Sequence, residues 1–91
     1  MTTFLVRHRV ADYDAWRAVY DGAADMQRSA GVTEQAVYRD AHDPNTVLIM
    51  HRMASREEAE AFMANPDARA AMESAGVDSS SIRAEIYEDP S

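Results

Sequence analysis

The sequence predicts an α+β protein of the ferredoxin-like class, a βαββαβ unit with one four-stranded antiparallel sheet. Three observations predict it: four segments alternate like strands, two amphipathic helical segments separate the outer pairs, and a tight turn joins the middle pair. The order fills all 91 residues, so we expect a single domain over 1–91 with a loose acidic tail at about 88–91. Its helices cover one sheet face, so the other face needs a partner or encloses a ligand.

The first half reads as a strand followed by a long helix. Residues 3–10 alternate, with one face formed by Phe4, Val6, His8 and Val10. Asp12 or Asp14 can cap the following helix, and Gly31 ends it. The helix buries residues spaced three and four apart, namely Tyr13, Trp16, Tyr20, Ala23 and Gln27.

The second half reads as a hairpin, a broken helix and a last strand. Residues 32–40 and 46–53 are the two hairpin strands, and residues 43–45 (DPN) have turn chemistry. Ser55 and Glu58 form a capping box that starts the next helix. Pro66 breaks and restarts this helix, and Gly76 stops it. Residues 81–88 form the last strand.

The composition argues against several classes of function. The chain has 16 acidic and 9 basic residues and a net charge of −7, so nucleic acid and anionic membrane are poor partners. No apolar run approaches the ~20 residues of a membrane span, and the first residues lack the charged and apolar regions of a signal peptide. A cytoplasmic protein is therefore expected. Without Cys there is no thiolate nucleophile and no Cys-based metal site.

Four stretches of the chain resemble a known superfamily. They are residues 6–10 (VRHRV), 12–16 (DYDAW), 37–45 (VYRDAHDPN) and 70–77 (AAMESAGV). The chain resembles the dimeric α/β barrel superfamily that includes the antibiotic biosynthesis monooxygenases, and especially its small cyclase-like members. The resemblance implies a homodimer that packs sheet against sheet and a pocket between each sheet and its helices. It implies little about chemistry, because one fold hosts many reactions.

The residues that act in members of this superfamily are replaced here. Cofactor-free and haem-degrading members have an asparagine near the end of strand one, where this chain has His8. They have a tryptophan at the end of strand three, where this chain has Met53. Haem-degrading members have a histidine on the later helix, where this chain has Met72. Haem ligation through that helix is therefore not supported, and no cofactor is expected.

His8 is the leading candidate for a catalytic residue. An imidazole on an otherwise apolar strand face can exchange protons near neutral pH. The competing interpretation is a core histidine that donates to a carbonyl or carboxylate. His51 shares a face with Val47, Ile49 and Met53 and can line the same layer as His8. Strands one and three run antiparallel in this fold, which argues against a His8–His51 metal pair, and no ligand spacing completes a metal site.

Three functions remain open from the sequence. The first is a cofactor-independent cyclase, isomerase or monooxygenase for an aromatic or polyketide-like metabolite, with His8 as acid and base. Its substrate-binding residues are predicted to be Tyr20, Tyr38, His51, Met53, Phe62 and Met72. The second is a protein that binds the same metabolite without turnover. The third is a dimerisation module with a filled interior, since aromatic and Met side chains at helical spacing usually pack in a core.

Overall fold

The predicted βαββαβ order is confirmed in the computed structural model, which describes residues 1–90. The strands are β1 (Thr2–Arg9), β2 (Glu34–Arg39), β3 (Thr46–Met53) and β4 (Arg83–Glu88). The helices are α1 (Tyr13–Gly22), α2 (Ala24–Ser29), α3 (Arg56–Ala64) and α4 (Pro66–Ser74), and a 3-10 turn spans Ser79–Ser81. The sheet order is β2-β3-β1-β4, and all neighbours are antiparallel. This is the strand order of the ferredoxin-like fold.

The strand register gives the sheet one buried and one open face. Phe4 lies opposite His51, and His8 lies opposite Val47. Because side chains alternate along a strand, both histidines lie on the buried face, beneath the helices. The residues between them, such as Leu5 and Leu48, belong to the open face, which no helix of the described residues covers.

The first predicted helix is divided into two. Asp12 caps α1, and its carboxylate accepts a hydrogen bond of 2.9 Å from the N–H of Ala15. The helix ends at Gly22, and the Ala23 N–H donates to the carbonyl of Tyr20, three residues back. Glycine weakens a helix because of its conformational freedom, which explains the break after Gly22. Gly31, at a φ of +103°, ends the helical region as predicted.

The second helical region divides where the sequence indicates. The Ser55 side chain accepts from the N–H of Glu58 and caps α3. Asn65 has an extended backbone, and its side chain caps α4, whose first residue is Pro66. After α4, Asp78 caps the 3-10 turn through the N–H of Ser80. This turn occupies the predicted start of the last strand, so β4 begins at Arg83.

Two groups of buried side chains fill the layer between sheet and helices. One is formed by Val10, Trp16, Tyr20, Val47, Ile49 and Ala75. The other is formed by Phe4, Val6, Val32, Met53 and Ala59. Met53 is fully buried in the second group, so it belongs to the packed core rather than to an open pocket.

Asp89, just after β4, is held against the sheet. Glu88 closes β4, the Asp89 N–H donates to the carbonyl of Met1, and the Asp89 carboxylate lies 2.8 Å from the Arg52 guanidinium. Ser91, part of the predicted loose tail, lies outside the described residues. Among residues 1–90, no helix has the length and apolar character to cross a membrane.

Candidate functional site

An apolar cavity of about 70 Å³ lies between the sheet and the helices. Its floor is the buried face of β1 and β3, and its roof is formed by α1 to α4. Five of the seven predicted site residues line it, together with Trp16. These six lining residues are His8, Trp16, Tyr20, His51, Phe62 and Met72.

His8 is enclosed in this cavity without a hydrogen-bond partner. The residue is 1% exposed, and neither Nδ1 nor Nε2 has a partner among the described residues. Its ring lies edge-to-face with Trp16, with 5.8 Å between the ring centroids. Burial lowers the pKa of His8 from 6.5 to about 4, because the imidazolium would lose its hydration. At neutral pH the ring is uncharged, with one N–H and one lone pair unused.

The Tyr20 hydroxyl links His51 to Gln35. The Tyr20 hydroxyl lies 2.8 Å from Nε2 of His51 and donates to Oε1 of Gln35, also at 2.8 Å. Burial lowers the pKa of His51 to about 4 and raises the pKa of Tyr20 to about 12. Both side chains are therefore uncharged at neutral pH. Nδ1 of His51 is buried and has no partner within the described part of the chain.

A row of rings connects the two histidines. Trp16 stacks on Tyr20 with centroids 5.0 Å apart, and Tyr20 lies over His51 at 6.0 Å. Phe62 meets His51 edge-to-face at 5.3 Å. Helix α1 presents Trp16 and Tyr20 one turn apart on one face, which is why both reach the sheet.

The two histidines do not form a metal site. His8 lies opposite Val47, four residues before His51 on β3, which corresponds to roughly 13 Å along the strand. One metal ion cannot bridge such a distance. Residues 1–90 contain no group of three or more His, Cys, Asp or Glu side chains able to hold a metal ion.

A larger groove of about 440 Å³ adjoins the cavity. It lies between α3, α4 and β4, and charged Arg69 and Glu73 contribute to its wall. The groove and the cavity share four wall residues, which are Val6, Phe62, Ala68 and Met72. Phe62 and Met72 therefore line both the groove and the cavity that contains the two histidines.

Two residues predicted to bind substrate lie elsewhere. Tyr38 pairs with Leu48 on the open face of the sheet and is 55% exposed, so its assignment to the pocket is corrected. Met53 lines neither the cavity nor the groove, because α3 packs Ala59 against its end of β3. The remaining predicted residues surround one space.

Two polar contributors were missed by sequence reasoning. Gln27 is 4% exposed and lines the cavity, and its Oε1 has no partner in residues 1–90. Gln27 lies on the predicted buried face of the first helix, but a single glutamine at such a position does not indicate a function. Gln35 was missed because its role depends on Tyr20, which lies on another element.

Comparison with solved structures identifies a class of fold. The structure superposes on SnoaB, a cofactor-independent oxygenase from Streptomyces nogalater, with a TM-score of 0.79, 12% identity, and coverage of 99% of this chain and 93% of that chain. A candidate antibiotic biosynthesis monooxygenase from Bordetella bronchiseptica gives 0.80 at 10% identity, with 98% and 96% covered. One from Chloroflexus aurantiacus gives 0.71 at 18% identity, with 100% and 95% covered.

The chain thus has the fold of the antibiotic biosynthesis monooxygenase-like proteins, as the sequence resemblance implied. No family model matches the sequence, and no curated protein sequence is significantly similar to it. At these identities the likeness establishes the fold alone. The chemistry has to be argued from the residues around His8.

Proposed function

We propose that this protein is a small cofactor-independent enzyme that acts on an aromatic or polyketide-like metabolite, as a monooxygenase, cyclase or isomerase. The observation that carries the proposal is His8, a neutral imidazole with two unpartnered nitrogens in an apolar cavity. A purely structural histidine is normally hydrogen-bonded when buried. A buried polar group without a partner calls for an explanation, such as a catalytic role, and a strongly shifted pKa in a cleft is a marker of functional sites.

The ligand in this proposal occupies the groove and reaches the cavity with one edge. Ligand sites typically enclose ~300–1,000 Å³, which fits the groove of about 440 Å³ but not the cavity of about 70 Å³. Phe62 and Met72 form the shared wall, and a Met side chain rearranges easily because it is unbranched and flexible. Aromatic and aliphatic walls favour a planar apolar ring system over a sugar or a peptide.

His8 acts in this proposal as the proton acceptor. A hydroxyl or an activated C–H bond of the ligand breaks, its proton binds the free lone pair of His8, and the electron pair remains on the ligand. The anion formed beside the ring favours the imidazolium and raises its pKa. This ion pair compensates for the burial that keeps the free enzyme's imidazole neutral.

Binding and turnover can be tested separately, because Trp16 is the only tryptophan and lines the cavity beside His8. Anthrone-like phenols and quinones are titrated against Trp16 fluorescence, with N-acetyltryptophanamide as an optical control, and product formation is followed by chromatography. We expect quenching that saturates and turnover that is lost in His8→Ala. His42→Gln, a change in an exposed turn, is the control and retains turnover.

The outcomes distinguish the three functions left open by the sequence. Saturable quenching without product, in the wild type and in His8→Ala alike, would indicate a binding protein. An absence of quenching by every compound would contradict both the enzyme and the binding function and leave the dimerisation module. Turnover that persists in His8→Ala would remove His8 from the chemistry while keeping the pocket.

The proposed enzyme is a homodimer formed through the open sheet face. The two central strands place Leu5, Leu48 and Met50 on that face together with Arg7, which pairs with Leu48. Tyr38 and Tyr87 are exposed on the outer strands of the same face. A second copy would bury this surface. We expect sedimentation to give a dimer for the wild type and a folded monomer for Met50→Glu. Met63→Glu makes the same change at an exposed position on the helical side and should remain dimeric. A monomeric wild type would contradict the proposal.

A further inference from the structure

The Tyr20 hydroxyl lies within hydrogen-bond distance of two side chains, Gln35 and His51. Tyr20 has one proton, and it is donated to Oε1 of Gln35 at 2.8 Å. Nε2 of His51 lies 2.8 Å from the same hydroxyl oxygen. Since the oxygen has already used its proton, this second contact is a hydrogen bond only if Nε2–H donates to it. A neutral imidazole with a proton on Nε2 has a bare lone pair on Nδ1.

The Nδ1 lone pair of His51 accepts no hydrogen bond from the described residues. Nδ1 is buried and has no partner among the described residues, and His51 lines the cavity. Oε1 of Gln27, another acceptor without a partner, belongs to the same lining. Both atoms are buried acceptors on side chains that line the cavity, so a ligand group that reaches them satisfies them only as a hydrogen-bond donor.

We propose that His51 determines ligand specificity by accepting a hydrogen bond at Nδ1 from a hydroxyl or N–H group of the ligand, and that Tyr20 and Gln35 are positioning residues that fix this tautomer. The ligand part rests on the proposed function. The tautomer is a property of the free protein and does not depend on it.

Gln35 is the residue at which this arrangement can be reversed. It is exposed on β2, so a substitution there leaves the core packing intact. Without an acceptor at position 35, the Tyr20 proton turns toward Nε2 of His51, and the hydrogen of His51 moves to Nδ1. The wall would then present a donor where the wild type presents an acceptor. A carboxylate at position 35 would still accept from Tyr20 and would keep the wild-type tautomer.

The first experiment measures the tautomer in the ligand-free protein. Long-range proton–nitrogen correlation spectra of protein labelled with ¹⁵N-histidine distinguish protonated from bare ring nitrogens, and substitution of His8 and His42 in turn assigns the three histidines. We expect His51 to carry its proton on Nε2 in the wild type and in Gln35→Glu, and on Nδ1 in Gln35→Leu. A wild-type signal with the proton on Nδ1, or no change in Gln35→Leu, would overturn the proposal. Tyr20→Phe, which removes the acceptor oxygen of Nε2–H, should also disturb the wild-type tautomer.

The second experiment measures specificity with two probes that differ by one donor. We expect 1-naphthol to bind roughly tenfold more tightly than 1-methoxynaphthalene, as one buried hydrogen bond allows, and to shift the Nδ1 signal of His51. The preference should disappear in Gln35→Leu and return in Gln35→Glu. An equal preference in both variants would overturn the role of His51. If neither probe binds any variant while the tautomers follow expectation, the proposed function fails and the tautomer assignment stands.

Discussion

The two buried histidines predict a loss of stability in mild acid. The pKa of each is lowered by burial from 6.5 to about 4. In the window between those values the unfolded chain binds protons that the folded protein excludes, so the free energy of unfolding falls as the pH falls. From pH 7.5 to pH 5 the loss is about 2 kcal/mol for each histidine, or about 4 kcal/mol for both. Proteins are typically stable by ~5–15 kcal/mol, so the effect is large.

The assay is urea unfolding at pH 7.5, 6 and 5. Carboxylates with lowered pKa values do not contribute in this window, because their stabilisation is lost only near and below the unfolded value of 3.8; these are Asp40, Asp43, Asp78 and Asp89. We expect His8→Leu to halve the loss to about 2 kcal/mol, whereas His42→Gln serves as the control for an exposed histidine. Stability that does not change between pH 7.5 and pH 5, or a full loss that persists in a His8→Leu, His51→Leu double variant, would refute the reasoning.

Two further predictions concern the frame around the site. Gly31 has a φ of +103°, and an added Cβ would lie 2.7 Å from the Glu58 carboxylate, so Gly31→Ala should lower the free energy of unfolding by ~1–2 kcal/mol. Gly22 is in a helix and has no atom within reach of an added Cβ, so Gly22→Ala should be neutral or raise the free energy of unfolding by ~0.5–1 kcal/mol. Equal effects of the two substitutions would contradict this explanation. Met53→Ala should lower the free energy of unfolding by ~2–5 kcal/mol, because it leaves a cavity at a fully buried position. Met63→Ala, at a 44% exposed position, should change the free energy of unfolding by less than about 0.5 kcal/mol. All four variants are measured by urea unfolding.

The fold could be predicted because its determinants are local. Alternation with a period of two fixes the face of every residue in β1 and β3, and it correctly placed His8 and His51 on one buried face. Strand β2 is ambiguous, since Val37 is flanked by Ala36 and Tyr38 and neither face is clearly apolar. The pairing of Val37 with Ile49 assigns Tyr38 to the open face, and this depends on the register across the hairpin rather than on the residue itself.

The composition of the site was less predictable than its location. Gly31 ends the helical region as predicted, but the division of that region at Ala23 was not predicted, although Gly22 is a local signal for it. The contact of Tyr20 with both His51 and Gln35 joins three elements, so it depends on how α1 is rotated above the sheet. The burial of Met53 depends similarly on the close approach of Ala59 on α3. Such packing is set by the whole domain and has no signature in any one segment.

The buried polar atoms around the cavity bear on the choice between a binding site and a plain dimerisation module. Both ring nitrogens of His8, Nδ1 of His51 and Oε1 of Gln27 are buried without partners in residues 1–90. An unsatisfied buried polar group costs ~1–3 kcal/mol, which a small domain can rarely sustain several times over. Apolar side chains in these places would stabilise a purely structural fold. Polar groups that instead surround a cavity are satisfied by water or by a ligand that enters it, and a ligand that supplies their partners stabilises the folded state in proportion to its affinity. An interior filled with apolar side chains would gain no such stabilisation, so a rise in the free energy of unfolding with added ligand would separate a binding site from a dimerisation module.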